Sequence, residues 1–130
     1  MNAQQTLQNL DYLAAKYAQE IIRCTYDREP GKVENTITKA LGVLQENGIY
    51  ACFLYLLARE KDNGPIVVKK MLKLLGEIFD EWKYSGNISS NEVLSHISDE
   101  VTQNLERLLL AKETLEQMLI YARYGAKALG

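Results

Sequence analysis

An all-α fold is what this 130-residue sequence predicts, and three observations carry the prediction. Apolar residues recur at three-and-four spacing along most of the chain, the signature of helices with one buried stripe. Only two prolines occur, Pro30 and Pro65, and both stand at apparent helix boundaries. The segment ALGVLQENGIYACFLYLLARE, Ala40 to Glu60, sets an amphipathic run beside one that is apolar on nearly every side. A helix without a wet face belongs in the middle of a bundle. The length suits a single domain, residues 1–130, with a true hydrophobic core. The expected architecture is a single compact bundle of about five to six helices with a long C-terminal helix.

The first helix should run from Ala3 to Thr25, with Leu7, Leu10, Ala14, Tyr17, Ala18 and Ile21 on its buried stripe. Lys16, Gln19, Glu20 and Arg23 fall elsewhere on its surface. Asp27-Arg28-Glu29-Pro30-Gly31 reads as a polar connector. A second helix spans Val33 to Glu46 and turns Ile37, Leu41 and Leu44 inward. Asn47-Gly48 ends it, because Asn and Gly adopt the left-handed conformation most easily. The third helix, Gly48 to Glu60, is expected to be the central post, with Ile49, Ala51, Cys52, Phe53, Leu54, Leu56, Leu57 and Ala58 all enclosed.

Pro65 is placed to open a fourth helix, where its missing N–H is harmless. Val68, Met71, Leu72, Leu75, Ile78, Phe79 and Trp82 form its stripe, and Ser85-Gly86-Asn87 stops it. Ser89 and Glu92 have the spacing of a capping box at the head of a short fifth helix. Ser98 and Asp99 open the last helix, carried by Val101, Leu105, Leu108, Leu115, Leu119, Ala122 and Ala126. Continuous to Leu129, it would be about 45 Å long.

Composition narrows the function classes. Apolar residues make up 47% and charged residues 25%, ordinary for a soluble globular protein. No apolar run reaches the ~20 residues that span a bilayer, so no membrane partner is expected. The N-terminus lacks the basic start and apolar block of a secretion signal. Cys24 and Cys52 both fall on expected apolar faces, which fits a reducing, cytoplasmic setting better than a disulfide framework. A net charge of −2 argues against generic coating of nucleic acid but allows a local basic stripe.

Enzymatic constellations are mostly absent, which leaves an enzyme of unrecognised type as the third and least favoured reading. The single histidine, His96, excludes two-histidine metal motifs within the chain and reads as a surface or half-buried residue. Cys52 lies among large apolar groups and should act as a small hydrophobe. No Gly-rich phosphate loop occurs, so neither a cofactor nor a small-molecule substrate is expected. Glu106, Glu113 and Glu116 read as a solvated face, and Asp99 with Glu100 as helix-dipole partners.

The basic residues say more. Lys69, Lys70 and Lys73 occupy the first half of the fourth helix, and Glu77, Asp80 and Glu81 the second. The helix dipole favours the opposite order, so the arrangement either serves a function or is compensated by pairing such as Lys73 with Glu77. Arg123 and Lys127, near the end of the last helix, follow the dipole. Tyr12, Tyr50, Tyr55, Tyr84, Tyr121 and Tyr124 could stack on bases but fit rings packed with wetted hydroxyls better.

Tyr12–Ile22, YLAAKYAQEII, followed by Ala40–Ala58, ALGVLQENGIYACFLYLLA, resembles the small helical subunit of the Cmr complex. That subunit is the fifth Cmr protein of type III-B CRISPR effector systems. Ala15-Lys16-Tyr17-Ala18, Asn47-Gly48-Ile49 and Phe53-Leu54-Tyr55-Leu56-Leu57 stand where the family has its Ala-x-Tyr-Ala helix, its Asn-Gly-Leu break and its apolar continuation. Tyr121-Ala122-Arg123-Tyr124-Gly125-Ala126 aligns with the family's C-terminal Trp-Leu-Lys-Arg-Phe-Ala. Leu41 replaces a common proline, Glu46 a basic residue, Tyr121 a tryptophan, Tyr124 an arginine and Gly125 a bulky aromatic, so family contacts to nucleic acid are not carried to Glu46 or Tyr124. The resemblance implies a non-catalytic scaffold that stacks head to tail with its own copies along the guide and target RNA and binds other Cmr subunits. Lys69, Lys70 and Lys73, then Lys16, Lys39, Arg123 and Lys127, are the expected contacts to the RNA backbone. The alternative is a helical interaction or dimerisation adaptor in an unrelated assembly without nucleic acid.

Overall fold

The computed structural model describes the backbone of residues 3–130 and the side chains from Leu10 onward, so Leu7 lies outside the described side chains. Six α-helices occur among the described residues: α1 Ala3–Cys24, α2 Pro30–Asn47, α3 Ile49–Arg59, α4 Gly64–Ile78, α5 Ser90–His96 and α6 Leu105–Leu129. A 3-10 turn, Asp80–Trp82, follows α4, and a π turn, Ile97–Val101, follows α5. There is no strand among these residues, so the all-α bundle with a long last helix is the fold.

The five longer helices form a ring. α6 packs between α1 and α2, α2 lies against α3, α3 against α4, and α4 returns to α1. α5 packs beside α3. Apolar side chains from all six helices and both short turns enclose one continuous core. The expected stripe of α1 is buried from Leu10 to Ile21, as are Ile37, Leu41 and Leu44 of α2.

Three boundaries depart from the sequence expectation by more than one residue. α2 begins at Pro30, within what reads as connector, since a fixed φ and a missing N–H suit the first helical position. α4 ends at Ile78, well before Ser85. The chain folds back there across Gly76, where an added Cβ would lie 3.2 Å from the Cα of Lys83. Phe79 turns extended, and Trp82 enters the core from the 3-10 turn with its ring edge-on to Phe79 at 4.7 Å. α6 begins at Leu105 because Asn104 caps it, its side-chain oxygen accepting from the Arg107 N–H at 3.0 Å. The helix is therefore nearer 37 Å long than 45 Å. Leu105, expected on the buried stripe, is exposed, and Leu108 is half-buried.

Ser89 sits at the N-cap of α5, but its side chain makes no capping bond. Glu92 instead accepts from the Asn87 backbone N–H at 2.9 Å and closes the preceding loop. The break at Gly48 is as expected: its φ of 97° is left-handed, so one residue suffices between α2 and α3. The central-post expectation for α3 is overturned. Ile49, Cys52, Phe53 and Leu56 are buried, Leu57 is half-buried, and Leu54 and Ala58 are exposed. A helix in a ring keeps an outer side, whatever its composition. The widest buried face belongs to α4, where Val67, Val68, Met71, Leu72, Leu74 and Leu75 are all enclosed.

Candidate nucleic-acid interface

The seam between α1 and α4 organises the lysines that the sequence singles out. Helical spacing puts Lys69 and Lys73 one turn apart on α4, and both are exposed. Lys70 is not part of that face. It is buried at 7% exposure and donates from Nζ to Glu20 Oε1 at 2.9 Å across the seam. The expectation that Lys70 meets RNA is therefore corrected, because a buried ammonium already paired with a carboxylate cannot reach a phosphate.

Glu20 supplies the compensation that the dipole argument lacks. The hydrogen bond from Lys70 holds its carboxyl below the ordinary glutamate range, against a desolvation effect, and the charges of Lys70, Lys73 and Lys16 add to this. Lys16 pairs with Glu77 at 3.6 Å, so Glu77 is engaged across the seam and not by Lys73. Between these pairs sits Tyr17, buried, its phenol pushed well above the usual range by burial first and then by the Glu77 carboxylate. The seam thus alternates charge: Lys16 on Glu77, Glu20 on Lys70. Lys69 and Lys73 remain outside, with no ion pair among the described residues.

The other expected contacts lie apart from this seam. Lys39 is exposed on α2, which does not neighbour α4 in the ring. Arg123 stands over the Tyr124 ring at 5.1 Å on α6, and Lys127 is exposed one turn later. The structure brings Lys16, Lys69 and Lys73 to one side and leaves Lys39, Arg123 and Lys127 on others.

A polar cleft that the sequence reading missed lies between α2 and the α3–α4 turn, with a volume of about 420 Å³. Its floor is Glu60, which accepts from Thr36 Oγ1 at 2.8 Å and from Tyr55 Oη at 2.5 Å. Burial and this carboxylate push the Tyr55 phenol up to about 12. Arg28 donates to the Asp62 carbonyl at 2.8 Å and to Asn63 Oδ1 at 3.0 Å. Thr36, Tyr55 and Arg28 each donate to an acceptor within the chain, so these bonds tie the α3–α4 turn to α2 and the segment before it. The only signal was the threonine inside a helical stripe, 24 residues from its acceptor.

Other groups have structural roles. His96 is half-buried, with Nε2 3.0 Å from the Trp82 carbonyl and its ring against Tyr84. Cys52 is buried and donates to the Ala40 carbonyl at 3.4 Å, its thiol pushed up to about 12 by burial. Cys24 is exposed, contrary to its expected place on an apolar face. Between α1 and α6 runs a groove of about 540 Å³ lined by Ala15, Ala18, Gln19, Ile22, Tyr121 and Gly125. A Cβ at Gly125 would stand 3.0 Å from Ile22 Cγ1, so any side chain there would need Ile22 to shift. No helix among the described residues is long and apolar enough to cross a membrane. No family model, curated protein or solved structure matches the chain.

Proposed function

We propose that this chain is a non-catalytic small subunit of a type III-B CRISPR RNA-guided effector, the Cmr complex. In this reading it is a cytoplasmic scaffold in antiviral defence, stacked along the guide and target RNA beside other Cmr subunits. The resemblance at Ala15-Lys16-Tyr17-Ala18, Asn47-Gly48-Ile49 and Phe53–Leu57 is its basis. The observation that best supports an RNA contact is the exposed pair Lys69 and Lys73, in no direct ion pair among the described residues while Lys70 and Lys16 are paired. Ammonium groups so placed meet phosphates as point charges and position RNA without reading its sequence.

The test uses the chain assembled with its native partners. Lys69→Glu with Lys73→Glu should weaken RNA binding and lower the slope of log affinity against log salt by roughly 1 to 2. Lys70→Met, which alters only the seam, should leave that slope unchanged. An unaltered slope in the double variant removes these lysines from the RNA path. Purification from the native host without guide RNA or other Cmr proteins removes the family reading itself. The alternative, an interaction or dimerisation adaptor without nucleic acid, is favoured by one feature: the exposed apolar residues along α6, including Leu105 and Leu109.

A further inference from the structure

The polar cleft between α2 and the α3–α4 turn holds a donor that the fold itself does not use. Asn63 lines this cleft and is buried at 7% exposure. Its Oδ1 accepts from Arg28 at 3.0 Å, which fixes the direction of the amide and leaves Nδ2 as the free end. Nδ2 has no acceptor among the described residues, yet no fully enclosed side-chain nitrogen or oxygen among them lacks a partner. Nδ2 is therefore open to solvent, and the cleft is the opening that Asn63 lines. Nearly all buried polar groups are paired, so a nine-tenths buried amide with one idle end is ready for a bound acceptor.

The walls decide the charge of that acceptor. Arg59 and Lys61 line the α3 side, exposed and in no ion pair among the described residues. The charge of Arg59 is felt at the Tyr55 phenol, which is bonded to Glu60 at the floor, so the guanidinium stands close to the cleft. On the α2 side, Lys32 has only an exposed pairing with Glu29 at 3.7 Å. Donors thus come from both walls and from the turn. A planar carboxylate meets donors in one plane, whereas the tetrahedral oxygens of a phosphate meet them from several directions. Two carboxylates, Glu60 and Asp62, also line the cleft, fewer than the three cations. Glu60 accepts from Thr36 and Tyr55 and keeps lone pairs for a further hydroxyl. A volume of about 420 Å³ lies in the range of small-ligand sites and leaves room beyond a bare phosphate. We infer that this cleft binds a phosphate monoester on a hydroxylated carbon frame, the chemistry of a sugar phosphate or a nucleotide. The phosphate meets Asn63 Nδ2, Arg59 and Lys61, and a hydroxyl of the ligand donates to Glu60. The inference uses none of the lysines assigned to the RNA path and holds or fails without that reading.

Titration of ribose-5-phosphate into the isotope-labelled full chain, followed by NMR, reads the site directly. The Asn63 side-chain amide and the backbone amides of Thr36 and Lys61 should shift together, with a dissociation constant on the order of 1 mM or below. Ribose alone should leave them in place, and inorganic phosphate should bind more weakly than the ester. Asn63→Asp keeps an acceptor for Arg28 while turning the cleft donor into a carboxylate oxygen, so it should raise the dissociation constant at least tenfold. Arg59→Gln with Lys61→Gln, both exposed changes, should do the same without altering the urea unfolding midpoint. A trinucleotide with a phosphorylated 5′ end separates the two sources of this chemistry. Binding as tight as that of the sugar phosphate assigns the cleft to the end of an RNA, and much weaker binding assigns it to a free small molecule. No shift at up to about 20 mM ribose-5-phosphate overturns the inference. So do shifts that survive both sets of substitutions, or a trinucleotide with a 5′ hydroxyl that binds as tightly as the phosphorylated one.

Discussion

Glu20 and Lys70 show how unequal the two ends of one ion pair can be. The Lys70 side chain is 8% exposed and the Glu20 side chain 22%, so removing either partner strands a group with different access to water. Glu20→Gln leaves an ammonium enclosed with weakened compensation and should cost about 2–3 kcal/mol. Lys70→Met leaves a carboxylate that can turn to solvent and fills the space with an apolar chain, so its cost should stay below about 1 kcal/mol. Urea unfolding at neutral pH compares the two. The pair also carries a pH dependence of defined sign. Its hydrogen bond depresses the folded Glu20 below the ordinary 4.5, so the unfolded chain takes up the proton first as pH falls. The stabilisation is complete above the ordinary glutamate value and disappears as pH drops through the folded one. The difference between wild type and Glu20→Gln should therefore shrink on the acid side. A difference that stays constant down to about pH 3 would show that Glu20 titrates normally.

α3 is where apolar composition and burial part company. Phe53 is fully enclosed, and Phe53→Ala should cost about 3–5 kcal/mol. Leu54, its neighbour in sequence, is 44% exposed, so Leu54→Lys should change stability by less than about 0.5 kcal/mol. Thermal or urea unfolding of the two variants would separate them, and an equal loss would mean that α3 is enclosed after all. Helices and their buried stripes were legible in sequence because three-and-four spacing of large apolar residues has few other solutions. The orientation of α3 was not, since Leu54 and Ala58 on its outer side are themselves apolar and leave no polar mark. The early end of α4 depended on the chain folding back over Gly76, a contact with Lys83 that spacing does not express. Lys70 was legible and misread. It stands three residues after Val67 and four before Leu74, both buried, whereas Lys69 and Lys73 lie on the adjacent exposed stripe. Of the candidate site, then, the exposed pair was readable and its separation from Lys70 was available on the same helical wheel.

Ring order, by contrast, is a property of the whole chain. α1 and α6 stand at opposite ends of the sequence yet pack along each other, joined at the surface where Tyr121 Oη donates to Asp11 Oδ1 at 2.6 Å. Periodicity identifies the faces that must be covered but says nothing about which helix covers them, so neighbour order came only from the fold. The same arrangement sorts the two cysteines. Cys24 sits at the exposed end of α1, while Cys52 is sealed between α2 and α3 with its thiol pushed up to about 12. A maleimide should therefore add once to the native chain and twice after denaturation, as mass spectrometry would count; rapid double addition to native material would mean that α3 lifts from α2. Cys24 is thus an attachment point already present, where a fluorophore or nitroxide can be placed without engineering a new thiol.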